Sequence, residues 1–451
     1  MKRLIYTFAV FFVAVSCDLE EINENPNVPN DVPLSTLLPP AQKGLADVQG
    51  GELFRINSVF AQQMEGISGR PLGYESYNPD EQFVSNPWSD FYVDAIVNLK
   101  IIEDRAVDES SPYYAGVAKI LQAQAFGVLT DTWGDVPFFQ SALGPNEINP
   151  AFDSQETIFG AIQDLLDEAI ILLEEPESVF APGTDDIIYN GNIENWKAAA
   201  YLLKARYLMH TTKRDPAVAG EAITFLNQSF TSSAQDFEYP YLGTGEDLNP
   251  IGGFFENNET IIVDPSFIGL MESLNDPRFD FAFDILPFTG GQRKPGEYFA
   301  SLDSRLELAG YTEQLFLLAE ARLRTSDTPG AEEALHEAIG ISMDDISAGE
   351  ITQEEIDNYV AANATLSGDF ESDLETIIRE KYIALFTTPE PWTDFRRTGY
   401  PMLEPNEGGV SGSNPNGEIP RRLIYPQSER LRNQNFPSTN PNMQDRFWWD
   451  E

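Results

Sequence analysis

The sequence of 451 residues predicts a mainly α-helical protein, in which helical pairs form a scaffold and long irregular segments form a loop-rich lobe. Two observations support this fold class. Apolar residues recur every three or four positions in several long segments, which is the period of one helix face. Between those segments lie stretches rich in Gly, Pro, Asn and aromatic residues that carry few helix signals. Hydrophobic residues make up 42% of the chain, enough to bury a large core.

Four segments show the helical period, and each places its apolar residues on one face. They are YYAGVAKILQAQAFGVL (113–129), NWKAAAYLLKARYLMH (195–210), EQLFLLAEARL (313–323) and DLETIIREKYIALF (373–386). Two further helices are predicted to begin at Asp215 and Thr328, because each residue can cap a helix and is followed by a first-turn proline. The helix after Thr328 is predicted to end at Gly340.

Helical pairs are the predicted unit of the scaffold. The clearest is LLAEARLRTSDTPGAEEALHEAI (317–339), in which two Ala-rich helices flank a short polar turn. Such pairs resemble degenerate tetratricopeptide repeats, where each pair buries its apolar face against the next. The sequence therefore predicts a tetratricopeptide-like stack, although the repeat period is not strictly kept.

Long segments without helix signals interrupt the pairs, notably residues 233–260 and 285–305. Loops of this length in a compact domain carry function or are disordered. Their aromatic content favours order, because disordered segments are poor in aromatic residues. We therefore expect these segments to be ordered and to carry function.

The N-terminus has the pattern of a secretory signal peptide over residues 1–16. Lys2 and Arg3 precede an apolar stretch that is too short to span a bilayer. Small residues Ala14 and Ser16 lead to Cys17, the single cysteine of the chain, in the manner of a bacterial lipobox. Cys17 is accordingly predicted to carry lipid, the alternative being that it merely ends an ordinary signal. No linker composition follows, so residues 17–451 are predicted to form one large domain.

Charge and composition exclude several classes of function. The net charge of −45 makes nucleic acid an unfavourable partner, because phosphate binding requires clustered Lys and Arg. The acidity fits a solvated surface that keeps the protein soluble in salt. With two histidines, no HExxH motif and no phosphate-binding glycine loop, the sequence predicts no enzyme and no cofactor. The acidic loop GTGEDLN (243–249) lacks EF-hand spacing, so no metal site is predicted.

Several motifs resemble the SusD/RagB family of Bacteroidetes outer-membrane lipoproteins. They are NENPNVP (23–29), VAKILQAQAFGVLTDTWGDVPF (117–138), FLLAEA (316–321), PWTDFRRTGYP (391–401) and IPRRLIYPQSE (419–429), behind a cysteine followed by DLEE. They occur in the family's order, and the resemblance covers essentially the whole mature chain.

This resemblance implies a mainly α-helical fold, with a tetratricopeptide-like scaffold of helical pairs and an irregular, loop-rich ligand-binding lobe. It also implies a surface-exposed, lipid-anchored protein of the outer membrane. It implies that the protein captures oligosaccharides and passes them to a partner TonB-dependent outer-membrane transporter of the SusC type. Part of the family resembles peptide-binding members, so an oligopeptide ligand stays open. A scaffold that binds no ligand is the remaining alternative, and it is disfavoured by the aromatic residues in the long loops.

Exposed aromatic rings are the expected feature of a sugar site, because they stack on the C–H faces of sugar rings while amides and carboxylates bind the hydroxyls. Two regions fit. The first region, residues 69–88, offers Tyr74, Tyr77, Phe83 and Trp88 as candidate platforms, with Asn78 and Asn86 as hydrogen-bonding partners. The second region lies in the middle of the chain and offers Phe254, Phe255 and Tyr298.

Other prominent residues are interpreted as structural. Trp133 stands beside Gly134 at the end of a predicted helix and is expected in the core. Arg396 and Arg397 are expected to pair with carboxylates or to serve the transporter interface. His210 and His336 lie on predicted helices and are expected to be surface residues or hydrogen-bonded core residues.

Overall fold

Helices dominate the computed structural model, which describes residues 32–79, 81–82, 84–144, 147–286 and 290–451. Within these residues, strands occur as three two-stranded antiparallel pairs. The predicted fold class, mainly α-helical with irregular connecting segments, is therefore confirmed. Phe83 and Cys17 lie outside the described residues. No described helix combines the length and the apolarity that crossing a bilayer would take.

The first half of the chain supplies the longer helices around the centre. Its α-helices are α1 (Leu34–Val48), α2 (Phe54–Phe60), α3 (Pro71–Glu75), α4 (Ser85–Asp90), α5 (Val97–Asp108), α6 (Pro112–Trp133), α7 (Gln155–Leu173), α8 (Ile193–His210) and α9 (Val218–Leu226). Two π-helical segments, Gln49–Leu53 and Phe91–Ile96, continue α1 and α4.

The second half combines short elements with a second set of helices. Its α-helices are α10 (Pro250–Phe255), α11 (Pro265–Leu274), α12 (Phe279–Ala282), α13 (Glu297–Ala300), α14 (Tyr311–Arg324), α15 (Thr328–Ser347), α16 (Gln353–Asn363), α17 (Phe370–Ala384), α18 (Glu390–Thr398) and α19 (Gln427–Arg432). The strands are β1 (Met64–Gly66), β2 (Phe237–Pro240), β3 (Ile261–Val263), β4 (Phe283–Ile285), β5 (Arg293–Pro295) and β6 (Arg305–Ala309).

Residues 34–451 form one compact unit in which helical pairs pack side by side. The pairs α8–α9 and α14–α15 meet through a contact of α9 with α14, and α17 covers another side of α14. At the centre, α6 packs against α5, α7 and α8. Gly127 permits the approach of α8, since a Cβ at this position would lie 2.0 Å from the ring of Tyr207. Three of the four segments predicted from periodicity lie within helices α6, α8 and α14, and the fourth lies in α17 except for Leu385 and Phe386, which follow its last residue.

Two helix ends and one helix face differ from the prediction. The cap of α15 is Asp327, which precedes Thr328, and the helix continues through Gly340 to Ser347. A glycine inside a helix costs about 1 kcal/mol, which the burial of Ile339 and Met343 on the same helix outweighs. The helix predicted from Asp215 begins at Val218. Helix α6 is buried on nearly all sides instead of one face, because helices surround it.

Candidate functional site

The two regions predicted to hold ligand lie side by side. Strand β1 in the chain before the first region pairs antiparallel with β3, which follows Phe254. A chain of side chains also joins them: the Tyr74 hydroxyl donates to Glu52, and Arg55 donates to the other oxygen of Glu52 at 2.9 Å. The Arg55 guanidinium in turn lies 4.6 Å from the centre of the Phe254 ring. Tyr74 and Phe254 are thus linked through one ion pair.

Within the first region, the two tyrosines are packed inside. Neither Tyr74 nor Tyr77 has an exposed ring. The Tyr77 hydroxyl accepts a hydrogen bond from the backbone N–H of Asn406 at 3.1 Å, and its ring meets the edge of Phe60. Burial raises the pKa of both phenols. The expectation that these two rings are exposed platforms is therefore wrong, because each hydroxyl has a partner that holds its ring inward.

Trp88 forms part of a buried aromatic cluster. Its ring contacts the rings of Trp133, Phe152 and Tyr425 at centroid distances of 5.4 to 6.2 Å. With Tyr92 it forms the floor of a shallow cavity of about 280 Å³, yet only 4% of Trp88 is exposed. The exposure expected of Trp88 is therefore also wrong. Trp133 is a core residue as predicted, and its indole N–H donates to the carbonyl oxygen of Ile424.

The remaining candidates differ in exposure. Asn78 and Asn86 are exposed. Phe255 is buried, contrary to the expectation that the preceding glycines expose it, and Phe254 is half-buried beneath Arg55. Tyr298 is 46% exposed. Of the predicted rings within the described residues, Tyr298 therefore offers the largest accessible surface for a ligand.

Tyr298 lies in a cavity of about 770 Å³ in the second region. Phe299 and Phe386 add apolar surface, and the hydroxyls of Ser304 and Thr388 add hydrogen-bonding groups. Acidic side chains contribute most of the charge around it. Among the described residues they are Asp236, Glu238, Glu297, Asp303, Glu307 and Asp345, and one cation, Arg305, lines the cavity with them.

The local fold explains how these carboxylates come together. Strand β2 pairs antiparallel with β6, and Glu238 stands opposite Glu307 in this register. Like charges in opposed positions destabilise a sheet, so the arrangement is unfavourable for folding alone. Arg305 donates to Glu238. The side chain of Glu307 lies over Gly310, where a Cβ would come within 2.7 Å of its carboxyl group.

The pKa values of three groups that line the cavity, Asp236, Glu307 and Tyr298, are all raised. Burial, followed by the negative charge of Glu307, raises the pKa of Asp236 to about 9. Burial, followed by the charges of Glu313 and Glu238, raises the pKa of Glu307 to about 8. The pKa of Tyr298 is also raised by burial and then by the surrounding carboxylates. Negative charge is therefore unfavourable in this cavity, and proton uptake or a cationic group would relieve it.

Backbone strain occurs at the rim of the same cavity. Thr387, which follows α17, lines the cavity and has a φ of 83°. A β-branched residue at a positive φ is an outlier, because its side chain clashes with the backbone there. Such strain costs about 1–3 kcal/mol and concentrates at ligand sites and switch regions.

The segments 233–260 and 285–305, which the sequence marks as functional, supply most of the cavity lining, including Asp236, Glu238 and Tyr298. Nothing in the sequence joins these segments to Asp345, near the end of α15, or to Thr387. Only the long-range packing of α15 and α17 against the second region brings these residues together, and no local signal reports it.

The conspicuous motif PWTDFRRTGYP is structural. Arg397 donates to both carboxylate oxygens of Glu320 and, at 2.8 Å, to Asp394, which confirms the predicted pairing. Arg396 instead lies 3.8 Å from the centre of the Trp392 ring and donates to backbone carbonyl oxygens, among them that of Asp131. Both arginines are buried.

Comparison with known protein families gives a match over most of the chain. Residues 26–426 match the profile of the SusD-like family, described as starch-binding and associating with the outer membrane. No curated protein sequence matches the chain.

Solved structures of similar fold cover nearly the whole chain. A chitin-binding protein has 22% identity and a TM-score of 0.80, over 93% of this chain and 100% of its own. A chitin-binding SusD homologue from Flavobacterium johnsoniae has 22% identity and a TM-score of 0.78, over 93% and 98%. A SusD/RagB family protein from Bacteroides thetaiotaomicron has 21% identity and a TM-score of 0.77, over 93% and 99%. At these identities the likeness concerns the fold.

Proposed function

This chain belongs to the SusD-like family, and we propose on that basis that it is a cell-surface lipoprotein that captures oligosaccharides in the cavity around Tyr298. The observation that carries the proposal is the exposed Tyr298 ring in a cavity of about 770 Å³, together with carboxylates and hydroxyls. A ring of this kind stacks on a sugar face, and carboxylates accept hydrogen bonds from sugar hydroxyls. Two of the structural relatives are described as chitin-binding, which supports a carbohydrate ligand.

Delivery to a transporter is the second part of the proposed function. Lipid at Cys17 would hold the protein at the outer membrane, and a partner TonB-dependent transporter of the SusC type would import the captured glycan. The family's association with the outer membrane supports this placement. Gentle extraction from the native host followed by co-purification tests it: the transporter is expected with the protein, and recovery of a monomer alone contradicts it.

Ligand capture is tested by calorimetry with a panel of neutral oligosaccharides and peptides. We expect binding of an oligosaccharide and a loss of about 1 kcal/mol in Tyr298→Ala, the size of one aromatic contact. Tyr298→Phe should keep most of the affinity because the ring remains. Phe180→Ala is a matched control, since Phe180 is 53% exposed and does not line the cavity. Binding that is insensitive to Tyr298→Ala, or binding of peptides alone, contradicts the proposal.

A further inference from the structure

The charge around the cavity is unbalanced in a way that neutral sugar recognition does not require. In the part of the chain that the structure describes, six acidic side chains and one arginine line it. That arginine, Arg305, already donates to Glu238 and so leaves the other carboxylates uncompensated. Proton uptake by Asp236 and Glu307 relieves part of this repulsion in the free protein, and a cationic ligand would relieve it without those protons.

Glu307 is the most informative of these groups. Its Oε1 atom has no accessible surface and no hydrogen-bond partner among the described residues, although it lines the cavity. A buried carboxylate oxygen without a partner costs free energy. Its carboxyl group lies over Gly310, and Glu307 stands opposite Glu238 in the register of β2 and β6. Oε1 itself is enclosed, so a donor bound in the cavity would meet the Glu307 side chain from the side that lines the cavity.

We propose that the cavity selects oligosaccharides that carry protonated primary amines, that is, oligomers of an amino sugar such as glucosamine, with Glu307 receiving one ammonium group. This inference rests on the proposed function and names the ligand class of that same cavity. An ammonium group offers three donors and a positive charge, and hydrogen bonds between charged partners are about twice as strong as neutral ones.

Two other cations fit the geometry less well. The carboxylates surround a large volume instead of converging on a point, and in the described parts of the chain no three acidic, histidine or cysteine side chains lie close enough to share a metal ion. A lysine-rich peptide would satisfy the charge but would make no use of the exposed Tyr298 ring as a stacking surface. An amino sugar uses both features.

Proton release gives the proposal a second readout. The pKa values of Asp236 and Glu307, about 9 and about 8, mean that both groups hold protons at neutral pH in the free protein. Glu307 faces the acidic groups Glu313, Glu238 and Asp345, which raise its pKa, and Arg206, which lowers it. A bound ammonium favours the ionised carboxylate, so binding at about pH 5.5, where the amines are protonated, should release protons.

The experiment compares four ligands by calorimetry: the β-1,4-linked glucosamine tetramer, its N-acetylated form, tetralysine and Ca²⁺. We expect the glucosamine tetramer to bind about tenfold more tightly than the N-acetylated form at low salt, an advantage that shrinks as NaCl is added. Calorimetry in buffers of different ionisation enthalpy measures the protons released on binding, and we expect such a release only with the glucosamine tetramer.

Variants test whether the preference for the glucosamine tetramer arises in the cavity. Glu307→Gln keeps the shape and removes the charge, so the two tetramers should bind within about twofold of each other. Glu354→Gln, at an exposed position on α16, should keep the tenfold preference. Should Glu307→Gln fail to fold, Asp345→Asn serves the same purpose, because Asp345 also lines the cavity.

The outcomes separate this inference from the proposed function. Equal affinity for the two tetramers, or a preference unchanged in Glu307→Gln and Asp345→Asn, overturns the inference while glycan capture stands. Binding of Ca²⁺ that Glu307→Gln abolishes overturns it in favour of a metal site. Binding of tetralysine alone, with no sugar bound by the wild type, overturns the proposed function as well.

Discussion

Nε2 of His210 lies 3.0 Å from Oε2 of Glu390 at a position where neither side chain is accessible. The other ring nitrogen, Nδ1, lies 2.9 Å from Oδ2 of Asp131. Burial by itself lowers the pKa of His210, but the charges of Glu390 and Asp131 and their hydrogen bonds raise it to about 9. His210 is therefore a buried imidazolium that joins α6, α8 and α18. Of the two alternatives that the sequence leaves open for His210, a surface residue or a hydrogen-bonded core residue, the structure shows the second.

This geometry predicts a stability that decreases in alkali. The pKa of His210 in the folded protein, about 9, lies above its ordinary value of 6.5, so the stabilisation is complete below about pH 6.5 and is lost as the pH rises through 9. The shift corresponds to about 3 kcal/mol in the free energy of unfolding. Urea titrations should show that His210→Gln is destabilised by about this amount at pH 6 and approaches the wild type above pH 9.

The other histidine supplies the control. His336 is partly buried and its Nε2 lies 3.0 Å from one backbone carbonyl oxygen, that of Ala364, without a carboxylate. His336→Gln should show the same pH dependence as the wild type. A difference between wild type and His210→Gln that stays constant from pH 6 to 10 contradicts the assignment of the charge to His210.

A second prediction concerns Arg397 and the carboxylate of Glu320. Replacing Arg397 by Met leaves a buried carboxylate with fewer compensating charges, and breaking a buried ion pair from one side costs about 3–5 kcal/mol. Arg430→Met is the matched control, because the Arg430–Glu81 pair is partly exposed and contributes at most about 1 kcal/mol. Equal midpoints of chemical unfolding in the two variants would contradict this account.

A third prediction contrasts two tyrosines of the candidate site. Tyr74 is fully buried, so Tyr74→Ala should lower the free energy of unfolding by about 3–5 kcal/mol. Tyr298→Ala should change it by about 0.5 kcal/mol or less, since the ring is 46% exposed. Thermal unfolding of both variants measures the contrast. A loss of stability in Tyr298→Ala as large as in Tyr74→Ala would show that its ring is needed for packing.

The same contrast shows how far the sequence predicts the site. Tyr74 and Tyr298 both follow glycine- and proline-containing stretches, and nothing near them in sequence distinguishes a packed ring from an exposed one. The distinction comes from Glu52, which accepts a hydrogen bond from the Tyr74 hydroxyl. Glu52 lies in a segment whose sequence gives no indication of function. Helices such as α14 were predictable because their period is local. The cavity was not predictable from local sequence, because Glu307 and Asp345 come to line the same cavity only through tertiary packing.

Backbone strain at the cavity rim provides a fourth prediction. Thr387→Gly removes the steric penalty of a φ of 83° and should stabilise the protein by about 1 kcal/mol, after allowing for the entropy of glycine in the unfolded chain. The loop should also become less ordered, which weakens oligosaccharide binding. Thr388→Gly is the control, because its hydroxyl donates to the carbonyl oxygen of Leu385 and its loss should destabilise the protein. Destabilisation by Thr387→Gly would contradict the argument from strain.

The last prediction tests the anchor. Cys17 lies outside the described residues, and its lipidation is a prediction from the sequence that precedes it. Each buried CH₂ of an acyl chain contributes about 0.8 kcal/mol to membrane binding, so several chains hold a lipoprotein firmly. Cys17→Ser, expressed without the transporter, should therefore move the protein from the membrane fraction to the soluble fraction. Ser16→Ala keeps the cysteine and a small residue before it, and should leave the protein in the membrane fraction. Membrane retention of Cys17→Ser in the absence of the transporter would show that something other than lipid on this sulfur holds the protein there.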